Sequence, residues 1–198
     1  MKLDVVHDVQ SSYRKLIESM SRPGLVSNIG EQAARVDIET GFYPSTTILM
    51  FMLLDTEVTF HVMSKRANEI TKLINQLTYA KAAEADNADY LFVLGDADPR
   101  QLEKVLRIAK VGDLKNPHES ATVIIETSSV TNGNEFVLTG PGIAMETTAR
   151  VNMTGEWLEI LAEKNVEYPL GIDLILTDEN HELLCLPRTS QILKRVAG

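Results

Sequence analysis

The chain lacks almost every signature that would assign it a reaction. Cysteine occurs once, at Cys185, so no internal disulfide can form and a disulfide-stapled fold is excluded. Histidine occurs four times, as His7, His61, His118 and His181, with no paired ligand spacing. All four are expected on the surface or in loops, and a metal site could arise only where the fold happens to gather them. The phosphate-cradling glycine loop, the dinucleotide-binding glycine pattern and the Gly-x-Ser-x-Gly elbow are all absent. The longest strongly apolar run, residues 48–54, falls far short of the roughly 20 residues that span a bilayer. Asp4 and Asp8 interrupt the amino terminus where a signal peptide needs continuous apolar residues, so the cytoplasm is the expected compartment. Basic charge is scarce too. Nineteen Lys and Arg against 28 Asp and Glu give a net charge of −9, a field that repels nucleic acid and anionic membrane. Neither is expected as a partner, though a local basic patch could still hold an anion.

What is present is ordinary globular material. The 198 residues are 44% hydrophobic and 24% charged, which fits one domain over residues 1–198. A chain of this size hides about 70% of its unfolded surface, so no metal is needed to hold it together. Cys185 lies in the apolar run 183–186 and reads as a small buried hydrophobe.

The apolar pattern alternates between helix and strand. Val9, Tyr13, Leu16, Ile17 and Met20 recur every three or four residues and predict a helix, with Asp8 as N-cap and Arg22-Pro23-Gly24 as its stop. Residues 25–29 read as a short strand. Residues 45–54 predict a buried helix opened by Ser45. Val58, Phe60 and Val62 alternate in a strand, and Ile70, Leu73, Ile74 and Leu77 return to helical spacing. Residues 90–94 form a continuous apolar strand covered on both faces, and Pro99 suits the first turn of a helix from Asp98 to about Ile108.

The later pattern differs. Residues 121–127 and 136–139 flank Asn132-Gly133 and predict a hairpin. Trp157 to Leu161 lies in a helix opened by Thr154. Residues 172–177 and 183–186 flank Asp178-Glu179-Asn180-His181 and predict a second hairpin. The expected fold is therefore α/β with a mixed sheet between helices.

Few residues invite a chemical reading. Thr139-Gly140-Pro141-Gly142 could let a backbone approach a ligand, but Pro141 offers no N–H to an anion-binding nest; a sharp turn leaving a strand is the plainer reading. Arg188 follows Pro187 at a strand end beside Thr189 and Ser190. It could grip a phosphate or carboxylate, or close a structural ion pair with Asp173. Lys65, just after a strand, is the one lysine placed where Schiff-base chemistry could be imagined, and an exposed post-strand lysine is far commoner. No catalytic, cofactor-binding or metal-ligating residue is assigned.

The chain as a whole says more than its motifs do. Residues 10–16 and Met20-Ser21-Arg22-Pro23-Gly24 resemble the H-subunit family of bacterial carbon–phosphorus lyase. So do Leu138-Thr139-Gly140-Pro141-Gly142-Ile143, residues 168–177 with their Pro169-Leu170-Gly171-Ile172-Asp173 run, and Leu186-Pro187-Arg188-Thr189, in the family's order; residues 41–117 contribute little. The resemblance implies a three-layer α/β fold like that of pyridoxal-phosphate-dependent transferases, without the cofactor or its lysine. It implies a subunit that works with G, I and J partners, G or I most directly; a homodimer when alone is expected only because it is the commonest arrangement of soluble proteins. It implies support for replacing the adenine of ATP by a phosphonate, with no catalytic residue on this chain. Arg14, Thr139, Gly140, Asp173 and Arg188 are the candidates for interface or ligand cleft. The rival is a free-standing transferase or pyridoxal-phosphate enzyme.

Overall fold

The longest apolar strand of the sequence sits in the middle of the protein. In the computed structural model, which describes residues 2–194, β4 (Tyr90–Val93) is flanked by parallel neighbours on both edges: β2 (Thr59–Met63) and β5 (Thr122–Glu126). Beyond β5 come β8 (Asp173–Thr177), parallel to it, then β9 (Glu182–Leu186) and β1 (Val26–Asn28), both antiparallel to their neighbours. Beyond β2 lies the two-residue β3 (Lys81–Ala82). The seven-stranded sheet is thus mixed, in the order β1-β9-β8-β5-β4-β2-β3.

Alternation along these strands sends side chains to two cores, one on each face. Phe60, Phe92, Ile124, Ile175 and Cys185 face α1 (His7–Ser21), the short α2 (Gly30–Ala33), α3 (Pro44–Leu53) and α4 (Ala67–Thr78), meeting Leu16, Ile48, Leu49, Ile70 and Ile74. Leu91, Val93, Val123, Leu174 and Leu184 face α5 (Pro99–Ile108) and α6 (Trp157–Lys164). That second layer also holds a small antiparallel sheet ordered β10-β6-β7, built from β6 (Asn134–Thr139), β7 (Thr147–Val151) and β10 (Gln191–Lys194). Phe136 of β6 meets Trp157 of α6 edge-on, with ring centroids 5.3 Å apart, a geometry that adds about 0.5–1.5 kcal/mol beyond area burial.

Local capping agrees with the sequence in one helix and differs in three. Asp98 caps α5 in a full capping box, accepting from Arg100 N–H at 2.9 Å while Gln101 accepts from its own N–H at 3.0 Å. Asp8 does not cap α1. It is buried within the first turn, paired with Arg35 at 2.7 Å, while Asp4 accepts from the N–H groups of Val6 and His7. Pro44 rather than Ser45 opens α3, and Glu156 rather than Thr154 precedes α6.

Two expectations about faces and pairing are corrected. The inward face of α1 is Asp8, Ser12, Leu16 and Ser19, leaving Tyr13 and Ile17 about half exposed. Small hydroxyl residues let the helix lie close to the sheet, where Ser19 donates to the carbonyls of Leu25 at 2.6 Å and Leu183 at 3.4 Å. The predicted hairpin of residues 121–127 with 136–139 does not form. Both edges of β5 are already taken by β4 and β8, so the Asn132-Gly133 turn delivers the chain to the second sheet. The hairpin of β8 with β9 is present, with Thr177 opposite Leu183.

Cys185 is fully buried, and burial pushes its thiol up to about 12. His181 lies in the loop before β9, as expected, but His61 is a half-buried residue of β2, with Nδ1 2.8 Å from the Ala83 carbonyl. Among the described residues no helix is long and apolar enough to cross a membrane. None of their His, Cys, Asp or Glu side chains cluster in a group of three or more that could hold a metal.

Candidate functional site

Four of the sequence segments singled out above converge where the mixed sheet meets the small one. Their glycines mark the points of contact. Gly142 has φ +84, and a Cβ there would stand 2.2 Å from the Ser21 carbonyl at the end of α1. Gly140, at φ +129, lies against the Thr189 carbonyl, which a Cβ would approach to 2.7 Å. Gly24, at φ +93, faces Thr147 and Leu138 of the small sheet. Only glycine combines these dihedrals with so close an approach. Ile143 N–H closes a turn onto the Gly140 carbonyl at 3.2 Å, with Pro141 and Gly142 in the positions a type II turn favours. The Thr139-Gly140-Pro141-Gly142 segment is therefore a turn leaving β6, wedged between α1 and the loop after β9.

Arg188 and Asp173 anchor the other side of that loop. Asp173 opens β8 and Arg188 follows β9, so the hairpin brings them together. Arg188 Nε donates to both carboxylate oxygens, at 3.3 and 3.1 Å, and Nη2 donates to Oδ2 as well. The backbone N–H of Arg188 reaches Oδ1 at 2.8 Å, and Nη1 donates to the Pro117 carbonyl at 3.0 Å. The side chains retain only 16% and 14% exposure. Most of the guanidinium's donors are therefore spent inside the protein, and little remains to offer a ligand. Gly171 packs its backbone against Arg188, and Asn165 of the α6 end clasps Ile172 through both its amide atoms. Because β9 runs antiparallel to the central strands, Arg188 stands at the amino ends of β5 and β8. The carboxyl ends, where ligands gather in open α/β sheets, are on the opposite edge.

At that carboxyl edge the sheet does form a cleft, lined by Gly95, Asp98, Glu126, Thr127, Ser128 and Asn152 among others. Glu126 ends β5 nearly buried. Its Oε1 accepts from Tyr43 N–H and Thr46 Oγ1, both at 2.7 Å, and its Oε2 accepts from Gly95 N–H at 2.8 Å. Burial raises its pKa above the usual carboxylate value despite these bonds, with Asp96 nearby adding to the rise. Tyr43 is raised as well, by burial first and then by Glu126, Glu179 and Asp178. The cleft is small, about 180 Å³, against roughly 300–1,000 Å³ for small-molecule sites. Its carboxylates oppose an anionic guest. The chemistry it supports is structural: one carboxylate ties α3 and the β4 loop to the central strand.

The remaining candidates scatter. Thr139 is half-buried and pairs with Gln191 across the small sheet. Arg14 is exposed on α1, far along the helix from the converging loops. Lys65 is exposed in the turn between β2 and α4. Sequence reasoning missed Glu126 and Asn165. For Glu126 the signal was there, a single acid closing an apolar strand run, which asks for a buried partner. Asn165 has no sequence signal, since only the folded loop shows what it clasps.

Comparison with known proteins yields two kinds of match. The family described as bacterial phosphonate metabolism protein (PhnH) matches residues 3–193. A protein of Stutzerimonas stutzeri named putative C-P lyase subunit protein HtxG is 33% identical over 186 residues, covering 92% of this chain and 85% of the relative. The alpha-D-ribose 1-methylphosphonate 5-triphosphate synthase subunit PhnH of Rhizobium meliloti is 27% identical over 192 residues, covering 96% and 92%.

Proposed function

The chain belongs to the PhnH family of bacterial phosphonate metabolism proteins, and from that membership we propose that it is a subunit of a carbon–phosphorus lyase assembly. In this reading it supports the exchange in which a phosphonate displaces adenine from ATP, giving ribose 1-phosphonate 5-triphosphate. Its contribution is structural, as one domain in the cytoplasm, with G, I and J subunits as partners and a homodimer as the form adopted alone. In finer detail the fold is a three-layer, cofactor-free variant of the pyridoxal-phosphate transferase architecture.

The observation that carries the reading is the family match along nearly the whole chain. The internal architecture is consistent with it. Arg188 is spent on Asp173 and Pro117, and the carboxyl-end cleft is small and acidic. A triphosphate would meet carboxylates there instead of cations.

The test is direct. The purified chain, given ATP and methylphosphonate, should release no adenine, while the same chain mixed with its G and I counterparts, and with the L protein that in this reading assists them, should support release. Leaving this chain out should abolish the reaction. Turnover by the isolated chain would refute the structural role. A borohydride-reducible pyridoxal-phosphate adduct on Lys65 would refute the cofactor-free one.

A further inference from the structure

The central sheet reverses its direction of growth between β2 and β4. These strands are parallel neighbours. Yet the chain leaving β2 runs through α4 to β3 on the outer side, while the chain leaving β4 runs through α5 to β5 on the other. α4 packs on one face of the sheet and α5 on the opposite one. A crevice opens between such diverging connections, outside the carboxyl ends of the two strands, and ligands of open α/β sheets collect there. The acidic cleft at Glu126 lies on the β5 side of it. On the β2 side is a larger hollow of about 310 Å³, within the roughly 300–1,000 Å³ of small-molecule sites. His61, Met63 and Ser64 of β2 and its end, Asn68 and Thr71 of α4, and Gln101 of α5 line it. It stays open because β3 covers only Thr59 and Phe60 of β2.

The walls restrict what can enter. Among the described residues that line the hollow there is no Asp, Glu, Lys or Arg, in a chain that is 24% charged. A phosphate would find no cation there, and a cation no carboxylate. Two side chains present polar groups whose orientation is already set. Gln101 spends Oε1 on the Asp98 N–H at 3.0 Å, which leaves Nε2 as a donor. His61 donates from Nδ1 to the Ala83 carbonyl at 2.8 Å, which leaves Nε2 of the neutral ring as an acceptor. Neither Nε2 has a hydrogen-bond partner among the described residues. Alternation along β2 turns His61 to the same face as Met63, the face on which α5 and Gln101 lie. One fixed donor and one fixed acceptor suit a neutral guest with an acceptor beside a donor. The N7 and 6-amino edge of adenine has that pair, and the Met63 thioether suits an aromatic ring.

We propose that this hollow binds an aminated nucleobase such as adenine, with Gln101 donating to a ring nitrogen and His61 accepting from the amino group. The inference deepens the subunit reading above, in which adenine is the base that ATP loses; the chemistry of the walls does not depend on that reading.

The experiment is an NMR titration of the isotope-labelled full chain with 9-methyladenine, whose 6-amino group is its only N–H donor. Saturable shifts of the His61 ring and the Gln101 side-chain amide are expected, with a Kd of about 1 mM or below. The 6-dimethylamino analogue keeps the rings and loses the donor, and should bind at least fivefold more weakly. Gln101→Glu keeps the oxygen that closes the capping box and exchanges the outward donor for an acceptor. It should melt near wild type and also weaken binding at least fivefold. No saturable shift up to about ten times that Kd overturns the proposal, as does equal binding of the analogue or by Gln101→Glu. Shifts centred on Gly95, Thr127 and Ser128 would put the base in the Glu126 cleft and overturn it too. None of these results touches the subunit reading, which the adenine-release assay tests separately. Failure of that assay with binding intact would leave the nucleobase site standing.

Discussion

Replacing Arg188 by Ala separates a structural guanidinium from a ligand-binding one. The pair with Asp173 retains 16% and 14% side-chain exposure, so it stands near the buried limit. Removing one member of a fully buried pair costs about 3–5 kcal/mol, against about 0–1 for an exposed pair. Two local terms adjust that range. Asp173 would keep the Arg188 backbone N–H at 2.8 Å, which leaves the carboxylate partly satisfied, while the Pro117 carbonyl would lose its donor. A loss of about 2–4 kcal/mol is therefore expected. With a urea slope of about 2 kcal/mol/M, the midpoint should fall by about 1–2 M. Asp173→Asn combined with Arg188→Ala should cost clearly less than the sum of the single changes, because each single change strands the other partner. Adenine release by the reconstituted assembly should fall only as far as assembly itself falls. A variant that unfolds at the wild-type midpoint and assembles normally, yet slows the reaction, would make Arg188 a ligand or transition-state residue.

Three further outcomes are expected. Burial raises the pKa of Glu126 in the folded state above its ordinary 4.5, so the folded protein holds the proton to higher pH than the unfolded chain does. Stability should fall as pH rises from about 4.5 through the folded pKa and level off above it; Glu126→Gln should remove that slope and, at pH 7, leave one of three N–H or O–H donors facing an amide, at about 1–3 kcal/mol, and an unchanged slope in paired urea melts would assign it to another group. The Cys185 thiol, fully buried and pushed up to about 12, should resist a thiol reagent at pH 7.5 in the native protein and react at once in urea; rapid native labelling would contradict its burial. Gly142→Ala should destabilise by more than the roughly 1 kcal/mol of a mere entropy change, since φ is +84 and the Ser21 carbonyl blocks the methyl group; a neutral effect on the melting temperature would mean that the turn yields.

The parts of the fold legible in the sequence were those decided locally. Asp98 and Pro99 specify a helix start without reference to anything distant, and the apolar run of β4 specifies a strand with two covered faces. The parts that were not legible depended on which elements meet. Tyr13 and Ile17 share a helical apolar stripe with Leu16, and pattern alone turns that stripe inward. Asp8, with Arg35 waiting 27 positions later, and Ser19, with the Leu183 carbonyl 164 positions later, rotate α1 so that the stripe is only half used. The second sheet was hidden for a similar reason. Asn132-Gly133 looks like a hairpin turn, and nothing local reveals that β5 has both edges occupied by strands from elsewhere in the chain.

The candidate site shows the same division, with a functional consequence. The segments that carry the family resemblance supply backbone meeting points: Gly24 on Thr147, Gly140 on Thr189, Gly142 on Ser21, Gly171 on Asn165 and Arg188. Of their polar side chains, Ser12, Asp173 and Arg188 turn inward, while Gln10, Arg14, Ser21 and Arg22 are exposed. An enzyme of this architecture would hold its reactive groups at the carboxyl ends of the parallel strands, facing an open cleft. Here the ends of β4 and β5 hold only a small cleft, about 180 Å³, and the Glu126 that lines it is already bonded to Tyr43, Thr46 and Gly95. The opposite edge is closed by Arg188 on Asp173. The large apolar residues left exposed are spread over the surface, among them Val6, Tyr13 and Ile17 on and beside α1, Tyr79, Leu114 and Met145 in loops, and Val166, Tyr168 and Leu193 around β10. The charged groups at the two ends of the central sheet, Glu126 at one and Arg188 with Asp173 at the other, therefore serve the fold first, while the buried polar atoms of Ser12, Ser120, His181 and Ser190 are left without a hydrogen-bond partner among the described residues.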